Sequence, residues 1–343
     1  MSMQIFDGHN DLLFRMWRHY NETGEEGALR RAYSSEYSHL DICRARDGHF
    51  SGGLFALFAP NQEAVATLSS GRPPSHEEAT TICDDMLMLA DEMTKRFADD
   101  VTKCLSISDI RKAQANSKVA MVLHLEGAEM ISPDCHEIET LYQRGIRSIG
   151  PLWSRPNIFG EGVPLSFPGS PDKGGALSEA GKILVKTCNQ YGIMIDLSHL
   201  NEAGFWDIAT LSNKPLIATH SNVHRLCPSP RNLTDKQLAA IAETGGLVGL
   251  CFATSYLRND GEKDPDTSLS LLVRHCDALI EALGEGGVAL GSDFEGACIP
   301  ASIGDCTGIY QLTQALRSAG YNDALLKRLL SQNWLDMLAR QIG

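Results

Sequence analysis

The chain has 343 residues, which suits one large α/β barrel or two smaller domains and exceeds one ordinary sandwich or helix bundle. Hydrophobic residues make up 43% of the chain and charged residues 21%, as in a globular protein that buries a large core. The formal charge of −13 argues against a nucleic-acid partner, because an acidic surface repels phosphate backbones.

The cysteines and the apolar runs indicate the cellular compartment in which the protein is expected to act. Ten cysteines are scattered singly, several of them in apolar stretches such as GLVGLCFA around Cys251. This distribution predicts reduced thiols in a cytoplasmic protein rather than a disulfide framework. The first residues, MSMQIFDGHNDL, lead into a strand pattern without the features of a signal peptide. No apolar run approaches the roughly 20 residues of a membrane span, so we expect no membrane association.

Short apolar runs alternate with amphipathic stretches along the whole chain. Eight runs predict strands that are covered on both faces, at residues 4–9, 53–58, 119–126, 146–153, 193–199, 216–221, 246–251 and 288–293. Helical periodicity covers residues 76–97, 177–191, 233–243 and 267–283, with Ser178, Thr234 and Asp266 as candidate N-caps. Eight βα units in this length favour a closed, TIM-like (β/α)8 barrel that forms a single domain over residues 1–343.

Two polar segments interrupt this alternation. Residues 18–50 lie between the first two predicted strands, and the Gly- and Pro-rich residues 154–175 follow the fourth. Loops that follow barrel strands form the catalytic face, so these inserts either shape a pocket or decorate the surface. Residues 321–340 are predicted to be a helical pair that closes the bottom or the side of the barrel.

Ionisable residues collect at the ends of five predicted strands, namely His9, Asp11, Glu126, His199, His220 and Asp293. Burying such groups unpaired is prohibitively costly, so a compensating charge is needed, and metal is the simplest candidate. Imidazole and carboxylate ligands suit Zn²⁺ or a similar borderline cation. Six ligands exceed the three of a typical catalytic zinc site and fit two metals that share a carboxylate. His124 precedes Glu126 by two positions, and we interpret it as a deeper, structural histidine.

Five segments together resemble the membrane dipeptidase (renal dipeptidase, peptidase M19) family of the amidohydrolase superfamily. They are FDGHNDL at the start, HLEGAE at 124–129, DLSHLN at 196–201, THSNVHRLCPSPRNLTDKQL at 219–238 and GSDFEG at 291–296. The resemblance spans nearly the whole chain, and the HxD motif and the segment Arg231-Asn232 are its most specific features. It implies a distorted (β/α)8 barrel, two Zn²⁺ ions per chain and hydrolysis of dipeptides, including those with a C-terminal D-residue.

The resemblance also implies roles for individual residues. The family's metal ligands fall on His9 and Asp11 for one ion, His199 and His220 for the other, and Glu126 as the bridge. Asp293 would be the proton-transfer residue, and Arg231 would bind the α-carboxylate of the substrate. Mammalian members carry a histidine that helps bind the substrate carbonyl, and the aligned position here is Trp153. The mammalian signal and lipid-anchor segments are also absent, so the chain looks like a soluble microbial relative; homodimers are common in the family.

The predicted mechanism is attack by a hydroxide that bridges the two metals, with Asp293 as the proton shuttle. Three alternatives remain: another amidohydrolase-type activity on the same site, such as a lactonase or deaminase; a barrel that binds a small peptide or metal without turnover; and a sugar-phosphate barrel. Arg231 favours a substrate with a free carboxylate over a neutral lactone, and Asp293 favours an enzyme over a mere binding protein. GSDFEG is a poor phosphate site because its carboxylates repel the ligand.

Overall fold

The computed structural model describes residues 3–62 and 71–343. Eight parallel strands form its centre: β1 (Ile5–Asn10), β2 (Phe50–Phe58), β3 (Val119–Glu126), β4 (Ile146–Gly150), β5 (Met194–Ile195), β6 (Ile217–Ser221), β7 (Leu247–Leu250) and β8 (Val288–Leu290). Each apolar run predicted from the sequence overlaps one of these strands. The strands are almost wholly buried, which explains why their sequences lack the alternation of a half-exposed sheet.

The strands are hydrogen-bonded in the order β5-β4-β3-β2-β1-β8-β7-β6, and each pair is parallel. A single parallel bridge between Asp196 and Ile217 joins the end of β5 to β6 and completes the ring. The chain is therefore a (β/α)8 barrel of the TIM type, as the sequence predicts. A short strand, Val101–Lys103, pairs with β3 outside the ring, and Pro156–Asn157 pairs with Gly160–Glu161.

Helices follow the strands and bury one apolar side against the sheet. They are α1 (Leu12–Tyr33), α2 (Ile42–Asp47), α3 (His76–Arg96), α4 (Ile107–Ala115), α5 (Ile138–Arg144), α6 (Glu179–Tyr191), α7 (Glu202–Leu211), α8 (Asp235–Glu243), α9 (Thr254–Leu257), α10 (Leu269–Leu283), α11 (Ile309–Ser318), α12 (Asp323–Lys327) and α13 (Asn333–Gln341). None of the helices in the described ranges combines the length and the apolar character needed to cross a lipid bilayer.

Two of the three predicted N-caps are confirmed. The side chains of Ser178 and Thr234 accept hydrogen bonds from backbone amides in the first turns of α6 and α8. The prediction for Asp266 is wrong, because Ser268 caps α10. The backbone N–H of Asp266 instead donates to the carboxylate of Asp264, which holds this stretch in a turn before the helix.

Much of the polar segment at residues 18–50 is helical. Residues 18–33 continue α1, which is broken at Gly24 by a backbone φ of 74°, and Ile42–Asp47 forms α2. The buried side of α1 is carried by Leu12, Leu13, Phe14, Met16, Ala28, Leu29 and Ala32. Charged residues lie between these positions, so the polar composition of the segment does not reveal that one side of the helix is apolar. Residues 154–175 contain the short pair of strands and are otherwise irregular.

The C-terminal helices cover the amino-terminal end of the barrel. A π-helical turn at Arg328–Gln332 links α12 to α13, and Trp334 packs there against Phe6 and Leu54 inside the ring. The indole Nε1 of Trp334 donates to the Leu290 carbonyl at 2.7 Å. Gly8 leaves room for this ring, since a Cβ at Gly8 would overlap it.

Trp334→Ala should lower the free energy of unfolding by about 3–5 kcal/mol, because it removes a fully buried indole and leaves a cavity under the strands. Urea unfolding followed by circular dichroism measures the change. Tyr310→Ala is the control, since Tyr310 is 61% exposed and should change stability by less than about 0.5 kcal/mol. Equal effects of the two substitutions would contradict a packing role for Trp334.

Candidate metal centre

Six ionisable side chains meet at the carboxyl-terminal end of the barrel, and the Glu126 carboxylate lies at their centre. Glu126 Oε1 is 2.9 Å from Nε2 of His199, 3.5 Å from Nε2 of His220 and 3.6 Å from Nε2 of His9. Asp11 Oδ2 lies 3.6 Å from the same nitrogen of His9. The fold thus brings together all five residues that the sequence predicts as metal ligands.

The donor atoms form three overlapping groups, each with its atoms within 4.8 Å of one another: His9, Asp11 and Glu126; Glu126, His199 and His220; and His9, His220 and Asp293. Both ring nitrogens of His9 are buried and have no hydrogen-bond partner in the described part of the chain. Unsatisfied buried nitrogens are costly in a folded protein, and an ion would satisfy one of them. The imidazole and carboxylate donors therefore fit borderline divalent cations.

Hydroxyl groups orient two of the histidine rings. Nδ1 of His199 lies 2.7 Å from Ser154 Oγ, and Nδ1 of His220 lies 2.9 Å from Thr219 Oγ1. Thr219 Oγ1 in turn donates to Asp196 Oδ2 at 2.6 Å. Such partners fix the ring orientation, here with Nε2 of both rings towards Glu126. Burial lowers the pKa of His199 and of His220 well below the usual value, so both rings are neutral.

The carboxyl groups of Glu126 and Asp293 stay protonated to a higher pH than carboxyl groups in water. Burial raises the pKa of Glu126 to about 8. Burial, with repulsion from Asp11, raises the pKa of Asp293 to about 7. Burial alone would lower the pKa of His9, but attraction to Glu126 and Asp11 outweighs it and raises this pKa to about 10. Without a cation, Glu126, Asp293 and His9 therefore hold protons at neutral pH. A bound cation would displace these protons.

A close approach of the backbone shapes the space beside the carboxylates. Asp293 adopts a left-handed backbone with φ of 60°, and its N–H donates to the His9 carbonyl at 3.0 Å. A Cβ on Gly296 would collide with Asp11 Oδ2 and Asp293 Oδ1. Glycine at position 296 is thus required for the two carboxylates to keep their positions.

His124 lies behind this group of residues. Its Nε2 is 3.5 Å from Asp196 Oδ2, and its Nδ1 is 2.8 Å from Ser148 Oγ. Its ring meets the His9 ring edge-on, with 5.5 Å between centres. Its contacts are thus with groups that support the histidines at the centre.

A cavity of about 300 Å³ opens over the centre. Phe14, Phe58 and Trp153 form its apolar wall, and it is also lined by Tyr256 from α9 and by Lys263 from the loop after α9. The Trp153 ring is 5.7 Å from the His199 ring and 4.9 Å from the Phe58 ring. Sequence reasoning missed Tyr256 and Lys263, and the only available signal was that loops after barrel strands face the site.

Three arginines in the segments that follow β4 and β6, namely Arg155, Arg225 and Arg231, differ in their surroundings. Arg231 is 3% exposed, donates from Nη2 to the His220 carbonyl at 3.1 Å and lies 5.4 Å from the centre of the Tyr256 ring. Its Nε has no hydrogen-bond partner among the residues described. Arg225 pairs with two surface carboxylates, and Arg155 is held by a carboxylate, an amide and a backbone carbonyl.

Comparison with known proteins gives matches along the whole chain. A family model described as membrane dipeptidase, peptidase family M19, matches residues 1–341. The crystal structure of dipeptidase AC, a metallopeptidase of family M19, is 43% identical with a TM-score of 0.93 over 100% of both chains. The metallopeptidase of Rhodobacter sphaeroides, solved with a phosphinate mimic of the dipeptide L-Ala-D-Ala, is 41% identical with a TM-score of 0.92 over 99% of this chain and 100% of that one. An uncharacterized Klebsiella pneumoniae protein of the pqqA 5′ region is 46% identical over 252 residues, which cover 74% of this chain and 93% of that protein.

Binding of Zn²⁺ to metal-depleted protein should release protons, because Asp293 and Glu126 have pKa values of about 7 and about 8. Below its pKa each carboxyl group is protonated, and the proton competes with the ion. The affinity for Zn²⁺ should therefore increase as the pH rises from 6 to 8, a range that includes both pKa values. Isothermal titration calorimetry in two buffers of different ionisation enthalpy counts the protons. Glu126→Gln should reduce that count. A heat of binding that is independent of the buffer would contradict this electrostatic description.

Proposed function

This chain belongs to the membrane dipeptidase family, peptidase family M19, and on that premise we propose that it hydrolyses dipeptides with two divalent metal ions. The observation that carries the proposal is Glu126 Oε1, which lies within 3.6 Å of three imidazole nitrogens at the mouth of a barrel. The mixed nitrogen and oxygen donors favour Zn²⁺ and would also accept Mn²⁺ or Co²⁺.

The ligands divide between two positions. His9 and Asp11 would hold one ion, His199 and His220 the other, and Glu126 would contact both, in keeping with the donor groups described above. When bound, the ions supply an activated water and a Lewis acid for the scissile carbonyl. The hydroxyls behind His199 and His220 keep those rings in place as ligands.

Asp293 is proposed to move the proton. A bound cation would displace the proton that Asp293 holds in the metal-free protein, and the resulting carboxylate would accept a proton from the attacking water and return it to the leaving amine. Its side chain lines the cavity together with Glu126 and Asp11, so it can reach the reacting groups. The left-handed backbone at Asp293 is a conformation that Asp and Asn tolerate better than most residues.

Arg231 is proposed to bind the α-carboxylate of the substrate. A guanidinium offers parallel N–H donors that match a carboxylate, and the Nε of Arg231 is buried without a partner in the described ranges. A cavity of about 300 Å³ lies at the lower end of the usual range for small-molecule sites, which favours a dipeptide over a longer peptide. Trp153 is proposed to contact a substrate side chain as part of the apolar wall, and both L-L and L-D dipeptides are candidate substrates.

The state of the cysteines supports a reducing compartment. All ten are unpaired thiols, and most are buried as small apolar side chains. Burial raises the pKa of Cys83 and Cys188, so these thiols stay protonated and unreactive at neutral pH. We therefore propose the cytoplasm as the site of action.

Asp293→Asn should lower kcat by about 10²–10⁴-fold, since the amide keeps the size and the backbone preference but cannot accept a proton. Metal content should stay unchanged. Steady-state kinetics on a dipeptide together with metal analysis measures both. Glu295→Gln is a nearby control, because Glu295 is held by Ser38 and two backbone amides outside the cavity. A loss of less than about tenfold for Asp293→Asn would indicate another proton carrier.

Arg231→Met should lower kcat/KM for free dipeptides, because it leaves the substrate carboxylate without its partner. The loss should correspond to about 2–5 kcal/mol of activation free energy. The same change should barely affect a C-terminally amidated dipeptide, which is expected to be a poor substrate of the parent enzyme. Arg225→Met is the control, since Arg225 lies on the surface. Equal losses on the free and amidated substrates would assign Arg231 a structural role.

A further inference from the structure

Arginine side chains from both arms of α1 line a second cavity, of about 740 Å³. The arms fold back on each other at Gly24, since Arg15 Nη2 donates to the Arg31 carbonyl at 3.3 Å and Arg31 Nη1 lies 2.7 Å from His19 Nδ1. Four arginines line this cavity, and we call it the arginine pocket: Arg15, Arg18, Arg30 and Arg31. Phe14 lines both this pocket and the cavity over the metal centre, so the two are neighbours.

Such a gathering of cations is unexpected in a chain with a formal charge of −13. Arg15 is largely buried, and its Nε makes no hydrogen bond to any described residue. Burial lowers the pKa of Arg15; the carboxylates of Glu295 and Asp41 oppose this effect, and the positive charges of Arg44 and Arg31 add to it. Like charges at this proximity destabilise the fold unless something of opposite charge lies among them.

The carboxylates of the pocket compensate these cations only in part. Glu295 Oε2 is 3.6 Å from Arg15 Nε, but Glu295 Oε1 already accepts hydrogen bonds from Ser38 Oγ and the backbone amides of residues 39 and 40. Glu22 lies against His19 at 3.4 Å, and Glu36 is exposed at the rim. Arg18 and Arg30 form no ion pair with any residue in 3–62 or 71–343, so two guanidiniums remain for a ligand.

We propose that the arginine pocket binds a small anion that carries two or more phosphate or carboxylate groups. Guanidinium groups bind both kinds of oxyanion with paired N–H donors. Because Arg18 and Arg30 come from different arms of α1, a ligand with two anionic groups can engage both arms at once. The proposal concerns a site distinct from the metal centre and does not depend on the dipeptidase function.

The test is calorimetric titration of the metal-loaded protein with pyrophosphate and, separately, with succinate, at low salt. The test variant combines Arg18→Ser and Arg30→Ser. The control variant combines Arg111→Ser and Arg328→Ser, which removes the same charge from exposed positions elsewhere. Any contact of a probe with the bound metals is common to all three proteins and cancels in the comparison. Thermal unfolding midpoints equal to that of the parent establish that both variants are folded.

The parent should bind at least one probe with a Kd below about 1 mM. The test variant should bind that probe at least about tenfold more weakly, and the control should match the parent. Stronger binding of pyrophosphate would identify the natural ligand as a phosphate compound, and stronger binding of succinate as a carboxylate. The proposal is overturned if neither probe binds to the parent, or if the test and control variants bind equally well.

Discussion

The mouth of the barrel is organised by the need to compensate one buried carboxylate. Glu126 Oε1 lies among the imidazole nitrogens of His9, His199 and His220, which come from three different βα units. The closed parallel barrel brings these chain segments to one point, because all of its strands end on the same face. The hydroxyls of Ser154 and Thr219 and the missing side chain at Gly296 then hold the surrounding groups at the required distances. An ion at this point would be the natural partner of the Glu126 charge.

The barrel and the group around Glu126 can be predicted from the sequence because short continuous segments of the chain encode both. Each buried parallel strand is a short, mainly apolar run, and the polar residues stand in its last positions or just after them. The helix at residues 18–33 escaped prediction because its apolar stripe is thin and Gly24 interrupts it. Tyr256 and Lys263 were missed for another reason: their approach to the cavity depends on how α9 and the loop after it fold over the barrel. The cap at Asp266 failed because several nearby residues can cap a helix, and the turn at Asp264 selects Ser268.

Membership of peptidase family M19 favours peptide hydrolysis over the lactonase, deaminase and sugar-phosphate alternatives that a barrel alone leaves open. The family resemblance predicts that Trp153 stands where mammalian members carry a histidine. An indole next to Phe58 and His199 makes the wall of the cavity more apolar than an imidazole would. Donors for the carbonyl oxygen of a bound peptide must then come from elsewhere around the cavity, while the aromatic wall gains contact area for an apolar side chain.

The ring of strands is uneven, and the unevenness falls next to the candidate ligands. β5 has two residues and meets β6 through one bridge, and side chains reinforce this seam: the N–H and Oγ1 of Thr219 donate to the Asp196 carboxylate, and the His220 N–H donates to Ser198 Oγ. These side chains make up for the short backbone ladder, so closure of the ring depends on Asp196, Ser198 and Thr219. His199 follows β5 and His220 lies within β6, so the groups that close the ring also fix the spacing of these two candidate ligands. Loss of the Asp196 or Thr219 side chain would therefore loosen the ring and displace His199 and His220 together.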